Sequence, residues 1–340
     1  MKGISMGHHR CSYQVGDWGK YNTALRNRYD LEVWFPASVV KRWYYKPKKR
    51  KHGGQLTYSR TAILICHQLR ALFQLSLRGT QGFLDSFFKR LNLPIRCPHY
   101  TQLSRRTKDL KTIKLSRKSS APMFALIDST GLKVYGQGEW HVRMHKASQR
   151  RTWRKLHLVV DPVSQEIMQD LMTVSKAPDA GSFLKVLPKL PQSIQAVWGD
   201  GAYATESVYK ALYKKGITPI IPPQRNGTPS CFYRRTQRYL GKTTLIHHKP
   251  HMLPRDTALE YIGMYCDPEE GRKRWKQHSS YHIRSLVETA MMRFKQTFSD
   301  KLKSRTFQNQ QAEVHLKAIM LNKMIHIAQA NSFPRPTISL

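Results

Sequence analysis

Hydrophobic positions along the chain follow two periods, and the change between them divides it into regions. Between residues 59 and 118, apolar residues recur at helical spacing in three successive segments, which predicts three helices. From residue 122, short apolar runs bounded by turn-forming residues predict strands. Their letters are MFALID with LKVYG, RKLHLVVDP, EIMQDLMTV, IQAVWGD and ITPIIPP. Helical spacing returns from residue 256, with breaks near 267–268 and 278–280.

The order of these elements predicts the fold class. Three strands joined by short connections favour an antiparallel meander, and a helix, a strand, a helix, a strand and further helices follow. This is the order of a ribonuclease-H-like core. We therefore expect an α/β protein with a mixed five-stranded sheet and flanking helices, preceded by a helical, helix-turn-helix-like domain.

The third predicted helix of the N-terminal half is short and basic. It contains TQLSRRTKDLK, in which Arg105 and Arg106 are candidate DNA contacts. A helix, a turn and a short basic helix form the outline of a helix-turn-helix DNA reader. Generic three-helix packing with a solvated basic face explains the same pattern, so both interpretations stay open here.

Two acidic residues directly follow apolar strands. Asp128 and Asp200 would approach each other if their strands are neighbours, and two like charges at close range require a cation. Glu288 from a C-terminal helix would complete an oxygen-rich site of the kind that suits Mg²⁺ or Mn²⁺. Each aspartate taken alone is also explained as a turn-forming residue.

Glu288 belongs to a polar stripe in the run YHIRSLVETAMMRFK. On a continuous helix its members project within an arc of about 60°. They are Tyr281, Arg284, Glu288 and Lys295. The opposite arc is apolar and suits packing against a core; it holds Leu286, Val287, Ala290, Phe294 and Phe298. An apolar side is enough to bury a helix, so the polar stripe indicates a second role, such as holding a metal or a phosphate.

Charge indicates the class of partner. The 340 residues include 58 Lys and Arg against 21 Asp and Glu, a formal net charge of +37. Such a chain attracts polyanions and gains affinity for nucleic acid by releasing counterions. A merely supercharged or ribosome-associated protein is the alternative.

Cysteine usage and hydropathy indicate the compartment. The five cysteines are scattered and include no CxxC pair, which argues against a disulfide framework and a structural zinc site. The N-terminal segment has no apolar signal region, and no apolar run reaches about 18 residues. We expect a cytoplasmic, nucleoid-associated protein without a membrane partner.

Four sequence blocks together carry a resemblance to a known family. They are IDSTGLKVYGQGEW at 127–140, RRTWRKLHL at 150–158, GDGAYAT at 199–205, and the spaced Tyr281, Arg284, Glu288 and Lys295 followed by RTFQNQQAEV. In this order they resemble the bacterial DDE transposases of insertion-sequence family five, over residues 18–327. The segment 228–253 does not follow the family pattern.

The resemblance implies roles for the residues of these blocks. Asp128, Asp200 and Glu288 would be the DDE triad that holds divalent metal. Tyr281, Arg284 and Lys295 would grip transposon-end DNA near the scissile phosphate. A homodimer on paired ends is also implied.

Further DNA contacts are predicted around the strands. Trp140, beside Arg143 in a predicted hairpin loop, would stack on an unpaired base, or else it anchors the loop. A basic patch would contact the DNA backbone, or else it is a solvated strand edge; it comprises Arg150, Arg151, Arg154 and Lys155.

The predicted domains follow from these regions. They are a basic and aromatic arm at 1–56, a helical DNA-binding domain at 57–118, a ribonuclease-H-like catalytic domain at 119–330 with a loop insertion at 224–254, and a tail at 331–340. The predicted function is Mg-dependent DNA transposition, which involves binding terminal inverted repeats, nicking the ends and joining the 3′ hydroxyls to target DNA. A helix-turn-helix regulator and a metal-dependent nuclease without strand transfer are the alternatives.

Overall fold

The computed structural model describes residues 17–46, 56–118, 121–134, 153–230 and 249–328. Within these ranges the core is one mixed β-sheet with helices against both faces. The strands are β1 Phe124–Val134, β2 Trp153–Val160, β3 Ile167–Val174, β4 Ala196–Trp198, β5 Thr218–Ile220 and β6 Lys301–Leu302.

Helices precede the sheet, connect its strands and follow it. In the N-terminal part they are α1 Trp18–Asn27, α2 Leu31–Trp34, α3 Arg60–Leu72, α4 Leu77–Arg90 and α5 Tyr100–Arg106. Later helices are α6 Asp179–Val186, α7 Glu206–Lys214, α8 Leu253–Gly263, α9 Pro268–His278, α10 Ser285–Phe298 and α11 Phe307–Ala328. The breaks predicted near 267–268 and 278–280 separate α8, α9 and α10 and are confirmed.

The sheet has the order β3-β2-β1-β4-β5, with β6 paired to the far end of β1. β1, β2 and β3 form the predicted antiparallel meander, whereas β4 and β5 run parallel to β1. The prediction of five strands missed β6, a two-residue strand too short to show a hydrophobic period. Residues 124–128 of the run MFALID and residues 132–134 of the run LKVYG form the single strand β1, because no break in backbone pairing separates them; residues 135 and 136 lie outside the described part.

Alternation along β1 decides what each face of the sheet buries. Phe124 and Leu126 join the core beneath α10 and α11, whereas Ala125 and Ile127 join the core beneath α6 and α7. Asp128, two residues beyond Leu126, therefore lies on the α10 side. The predicted apolar arc of α10 is confirmed, since Val287, Ala290, Phe294 and Phe298 are buried and Leu286 packs partly against the same core.

The N-terminal segment 17–46 is folded, which corrects the prediction that residues 1–56 form an arm. Two helices and the 3₁₀ helix Ala37–Arg42 occupy it. Trp34 and Trp43 are 1% and 0% exposed, and the Trp43 indole donates to the Arg96 carbonyl oxygen at 2.8 Å. The aromatic residues of the predicted arm therefore belong to the hydrophobic core. They are buried because the helices α3 and α4 supply an apolar surface for them.

The long helix α11 covers the outer edge of the sheet. Asn322 accepts from the Ile167 backbone N–H at 2.8 Å and donates to its carbonyl oxygen at 2.9 Å. An exposed strand edge can pair with another chain. The Asn322 side chain prevents this at Ile167 by occupying both of its backbone hydrogen-bonding groups. Of the predicted insertion 224–254, residues 231–248 lie outside the described part, and residues 253 and 254 already belong to α8.

Candidate active site

Asp128 and Asp200 are brought together by the adjacent strands β1 and β4. Asp200 follows the end of β4, as predicted, but Asp128 lies within β1, because the strand stays paired to β2 as far as Lys133. β1 and β4 pair in parallel with Leu126 opposite Trp198, so Asp128 and Asp200 each follow a paired residue by two positions. Asp128 accepts from the Ser129 backbone N–H at 2.7 Å, and Asp200 accepts from the Ala202 N–H at 3.0 Å. Burial, together with the nearby charge of Asp200, raises the pKa of Asp128 although Arg284 opposes the shift.

Arg284 joins the first aspartate to the third predicted carboxylate. Its Nη1 donates to Asp128 Oδ2 at 2.6 Å, while its Nη2 donates to Glu288 Oε1 one helical turn away. The Arg284 side chain is 19% exposed and that of Asp128 is 13% exposed. The guanidinium fork thus bridges two carboxylates of the predicted triad.

Lys295 contacts the same strand further along. Its Nζ donates to Thr130 Oγ1 at 2.6 Å. Asp128 and Thr130 are two residues apart in β1 and lie on one face of it, beneath α10. Arg284, directly before α10, and Lys295 of α10 therefore place two cations along β1.

Tyr281 flanks the arginine. Its ring centroid lies 5.7 Å from the Arg284 guanidinium carbon and 6.0 Å from the Trp275 ring. Burial, with the surrounding carboxylates opposing the effect of Arg284, raises the pKa of Tyr281 to about 12, so the phenol is neutral at physiological pH.

The stripe is not carried by one continuous helix. Tyr281 and Arg284 belong to the 3₁₀ helix Tyr281–Arg284, and α10 begins at Ser285. Ser280, with φ of 53°, turns the chain before it. The stripe still contacts the sheet. From the 3₁₀ turn, Arg284 donates to Asp128 of β1, and the Tyr281 ring packs against the Arg284 guanidinium.

The donor chemistry suits a divalent cation, although the three carboxylates do not converge in this arrangement. Within the described ranges, no three Asp, Glu, His or Cys side chains form a group that could hold a metal ion. The Glu288 side chain is 55% exposed, and the Arg284 guanidinium pairs with it through one nitrogen and with Asp128 through the other. That two acids draw a guanidinium between them indicates that the site favours positive charge, as oxygen ligands of Mg²⁺ do.

Other predicted DNA contacts have varied surroundings. Trp140, Arg143, Arg150 and Arg151 lie outside the described residues. Arg105 is exposed at the end of α5. Arg106 donates to the Tyr58 carbonyl oxygen at 2.6 Å and pairs with Asp109 at 3.2 Å.

Two further basic side chains of the predicted patch are held within the fold. Arg154 donates to Gln310 Oε1 at 2.9 Å, and its guanidinium lies 5.4 Å from the Phe307 ring centroid. Lys155 pairs with Asp179 at 3.1 Å. Lys155, like Arg106, therefore has its charge engaged inside the protein.

Sequence reasoning missed two residues of the site. Thr130 holds Lys295, and its place two residues after Asp128 in a strand was a usable signal. Tyr203 is fully buried beside the aspartates, and among the described residues its hydroxyl has no hydrogen-bond partner. It lies in the block GDGAYAT, and the burial of such a large side chain depends on the helix α6 that packs over it.

Within the described ranges, no helix is both long and apolar enough to cross a membrane.

Two solved structures share distant likeness with the chain. The piggyBac transposase synaptic complex with hairpin DNA is 10% identical, with 92% of this chain and 75% of that chain covered and a TM-score of 0.41. The Mos1 transposase paired-end complex with left transposon end is 11% identical, with 72% and 82% covered and a TM-score of 0.22. At these scores neither likeness bears on the assignment.

Family models give a firmer relation. A model described as a transposase DDE domain matches residues 119–323, and a second model with the same description matches residues 26–137. The first match spans more than half of the chain and includes Asp128, Asp200 and Glu288. The chain belongs to the DDE transposase family.

Proposed function

We propose that this DNA transposase acts on the ends of a bacterial insertion sequence of family five, with Asp128, Asp200 and Glu288 as its catalytic triad. The observation that supports the proposal is the contact of Arg284 and Lys295 with residues of β1. Asp128 of β1 and Asp200 after β4 lie on adjacent parallel strands, and Arg284 and Lys295 contact β1 from the 3₁₀ turn and from α10. Acids beside cations on adjacent inner strands of the sheet fit a reaction on a phosphodiester.

The triad would hold Mg²⁺ or Mn²⁺. When bound, the ion activates an attacking oxygen and stabilises the leaving oxygen of a phosphodiester. Asp128, Asp200 and Glu288 would supply its oxygen ligands, and Glu288 would be free to do so when Arg284 binds a DNA phosphate instead. A phosphate competes well for Arg284 because a guanidinium binds phosphate oxygens as a planar fork.

Transposition then requires two displacements at phosphorus. In the first, water attacks a phosphodiester at the element end and releases a 3′ hydroxyl. In the second, that hydroxyl attacks a target phosphodiester, so one bond forms as one breaks and no other energy source is needed. Arg284 and Lys295 orient the phosphates, and Tyr281 supports Arg284 through its ring.

DNA would be bound by several parts of the chain. The proposed partners are terminal inverted repeats and target duplex. Tyr281, Arg284 and Lys295 would bind this DNA, with Arg105 and Arg154 as outer contacts. The segment 57–118 would act as a helix-turn-helix reader, and two chains would assemble on paired ends. A protein with a formal charge of +37 would be found with the bacterial nucleoid.

One reaction tests the function. Protein, Mg²⁺, labelled terminal-repeat DNA and a target plasmid are incubated together, and joined product is resolved on a gel. We expect joined product from the wild type and none from Asp128→Asn, which keeps the shape of the side chain but removes its charge. Asp17→Asn is the matched control. Asp17 is the N-cap of α1, far in sequence from the triad, and asparagine caps a helix equally well.

The other outcomes identify the alternatives. Binding without cleavage would support a DNA-binding regulator, and cleavage without joined product would support a nuclease. Joined product from Asp128→Asn at the wild-type rate would refute the triad.

A further inference from the structure

A group of three buried charges and one half-buried charge lies where α3 packs against α11. Arg70 of α3, Lys303 of the segment between β6 and α11, and Glu313 and Lys317 of α11 line a cavity of about 20 Å³. A cavity of this size has room for about one water-sized species. None of these residues takes part in the proposed transposition chemistry.

The single carboxylate of this group is fully engaged. Glu313 accepts from the backbone N–H groups of Lys303 at 3.1 Å and Ser304 at 2.8 Å, and from Lys317 Nζ at 2.9 Å. Burial opposes its charge, but the cations of Lys317 and Arg70 outweigh burial and lower the pKa of Glu313 to about 2. Glu313 is therefore ionised, and its oxygens are already occupied.

The charge of Glu313 acts on Arg70, but no hydrogen bond joins the two side chains within the described ranges. Arg70 is 7% exposed, and its guanidinium donates no hydrogen bond to any residue within the described ranges. Lys303, also on the cavity wall, donates from Nζ to the Gln74 carbonyl oxygen, a neutral acceptor. His67 adds no further positive charge, since burial and the charge of Arg70 lower its pKa to about 4 and leave it neutral.

The balance of charge around the cavity is therefore positive. Three cations face one carboxylate, which leaves two positive charges in excess. A buried cation without a hydrogen-bonded counter-charge is strongly unfavourable. A neutral water molecule would satisfy one N–H group but would leave the charge.

We propose that the cavity binds one small monatomic anion of the size of chloride, held between the Arg70 guanidinium and Lys303. The volume suits such an ion. The anion would tie α3 of the N-terminal part to the segment that leads into α11. Halide would then stabilise the folded chain by binding only that state.

Crystals of the full chain soaked in bromide test the proposal directly. We expect an anomalous scattering peak in the cavity within contact of the Arg70 side chain. Peaks on surface lysines and arginines alone, with none in the cavity, would overturn the proposal. This measurement uses the unmodified chain and so does not depend on a variant that folds.

Thermal unfolding tests the same site in solution. In chloride, the wild type should unfold about 2 °C higher than in gluconate at equal ionic strength. Arg70→Met should lose this difference, because the charge that recruits the anion is gone. Arg90→Met, which removes the same charge from the exposed last turn of α4, should keep it.

Two results would contradict the assignment in solution. Arg70→Met that retains the wild-type response to chloride would show that the response is a general effect on a basic protein. An equal response to inorganic phosphate, lost in Arg70→Met, would show that the site is not built for a monatomic ion.

Discussion

Arg284 binds two carboxylates with one side chain, because the two terminal nitrogens of its planar guanidinium donate in different directions. Lysine carries the same charge but cannot donate in two fixed directions, so Arg284→Lys should not replace it. We expect Arg284→Lys and Arg284→Ala both to lower strand-transfer rate about tenfold or more, since each loses a charge-assisted hydrogen bond worth about 1.5–3 kcal/mol. The measurement is the single-turnover rate of joining on terminal-repeat DNA.

Arg274→Lys is the matched control for this prediction. Arg274 lies on the exposed side of α9 and pairs with Glu270 one turn away at 2.7 Å. It should join DNA at the wild-type rate. Full activity in Arg284→Lys would mean that charge alone matters at residue 284.

Lys295 offers a separate prediction, because its proposed role is a contact with one phosphate. Lys295→Ala should weaken end binding and reduce the slope of log affinity against log salt by about 1. Lys214→Ala, at the exposed end of α7, should leave the slope unchanged. A Lys295→Ala slope equal to that of the wild type would exclude phosphate contact at this position.

At the scale of elements, α11 is anchored to the sheet by a charged pair. His315 Nδ1 lies 2.7 Å from Asp170 of β3, and Nε2 lies 2.6 Å from the Ile113 carbonyl oxygen. Both acceptors are satisfied only by the doubly protonated imidazole. Burial opposes this charge, but the hydrogen bond and charge of Asp170 outweigh it and raise the pKa of His315.

The raised pKa sets the pH dependence of this anchor. A folded pKa above the unfolded value of about 6.5 means that the contribution is complete below that pH and is lost as pH rises through the folded pKa. The difference in unfolding free energy between wild type and His315→Gln, measured by urea titration, should therefore shrink as pH rises above about 6.5. In an Asp170→Asn background the pH dependence should disappear. A difference that stays constant with pH would contradict a charged His315.

Elements with a long, regular period were predictable, and those defined by tertiary contact were not. The strand run MFALID and the apolar arc of α10 follow from local spacing alone. The fold of residues 17–46 does not, because Trp34 and Trp43 are buried by distant helices rather than by their own segment. The same reason hid Thr130 and the ion pair of Lys155 with Asp179, which join residues far apart in sequence.

At the scale of the whole molecule, the N-terminal helices and the sheet share one core. Leu69 of α3 and Leu84 of α4 belong to the same buried cluster as Leu126 of β1 and Phe294 of α10. Hydrophobic periodicity predicted two kinds of structure, helical and then mixed, but periodicity does not report whether two regions share a core. A shared core couples the stability of the regions that contribute to it.

This coupling predicts a single unfolding unit across the region boundary. Under increasing urea below the unfolding transition, the slowest-exchanging amides of α3 and β1 should converge on one opening free energy with one urea slope, since opening either exposes the same core. Hydrogen exchange with mass spectrometry measures both segments in one sample. The exposed first turn of α1 is the internal comparison, because it can fray locally with little dependence on urea. A smaller urea slope for α3 than for β1 would show that the helical region opens by itself, as an independent domain would.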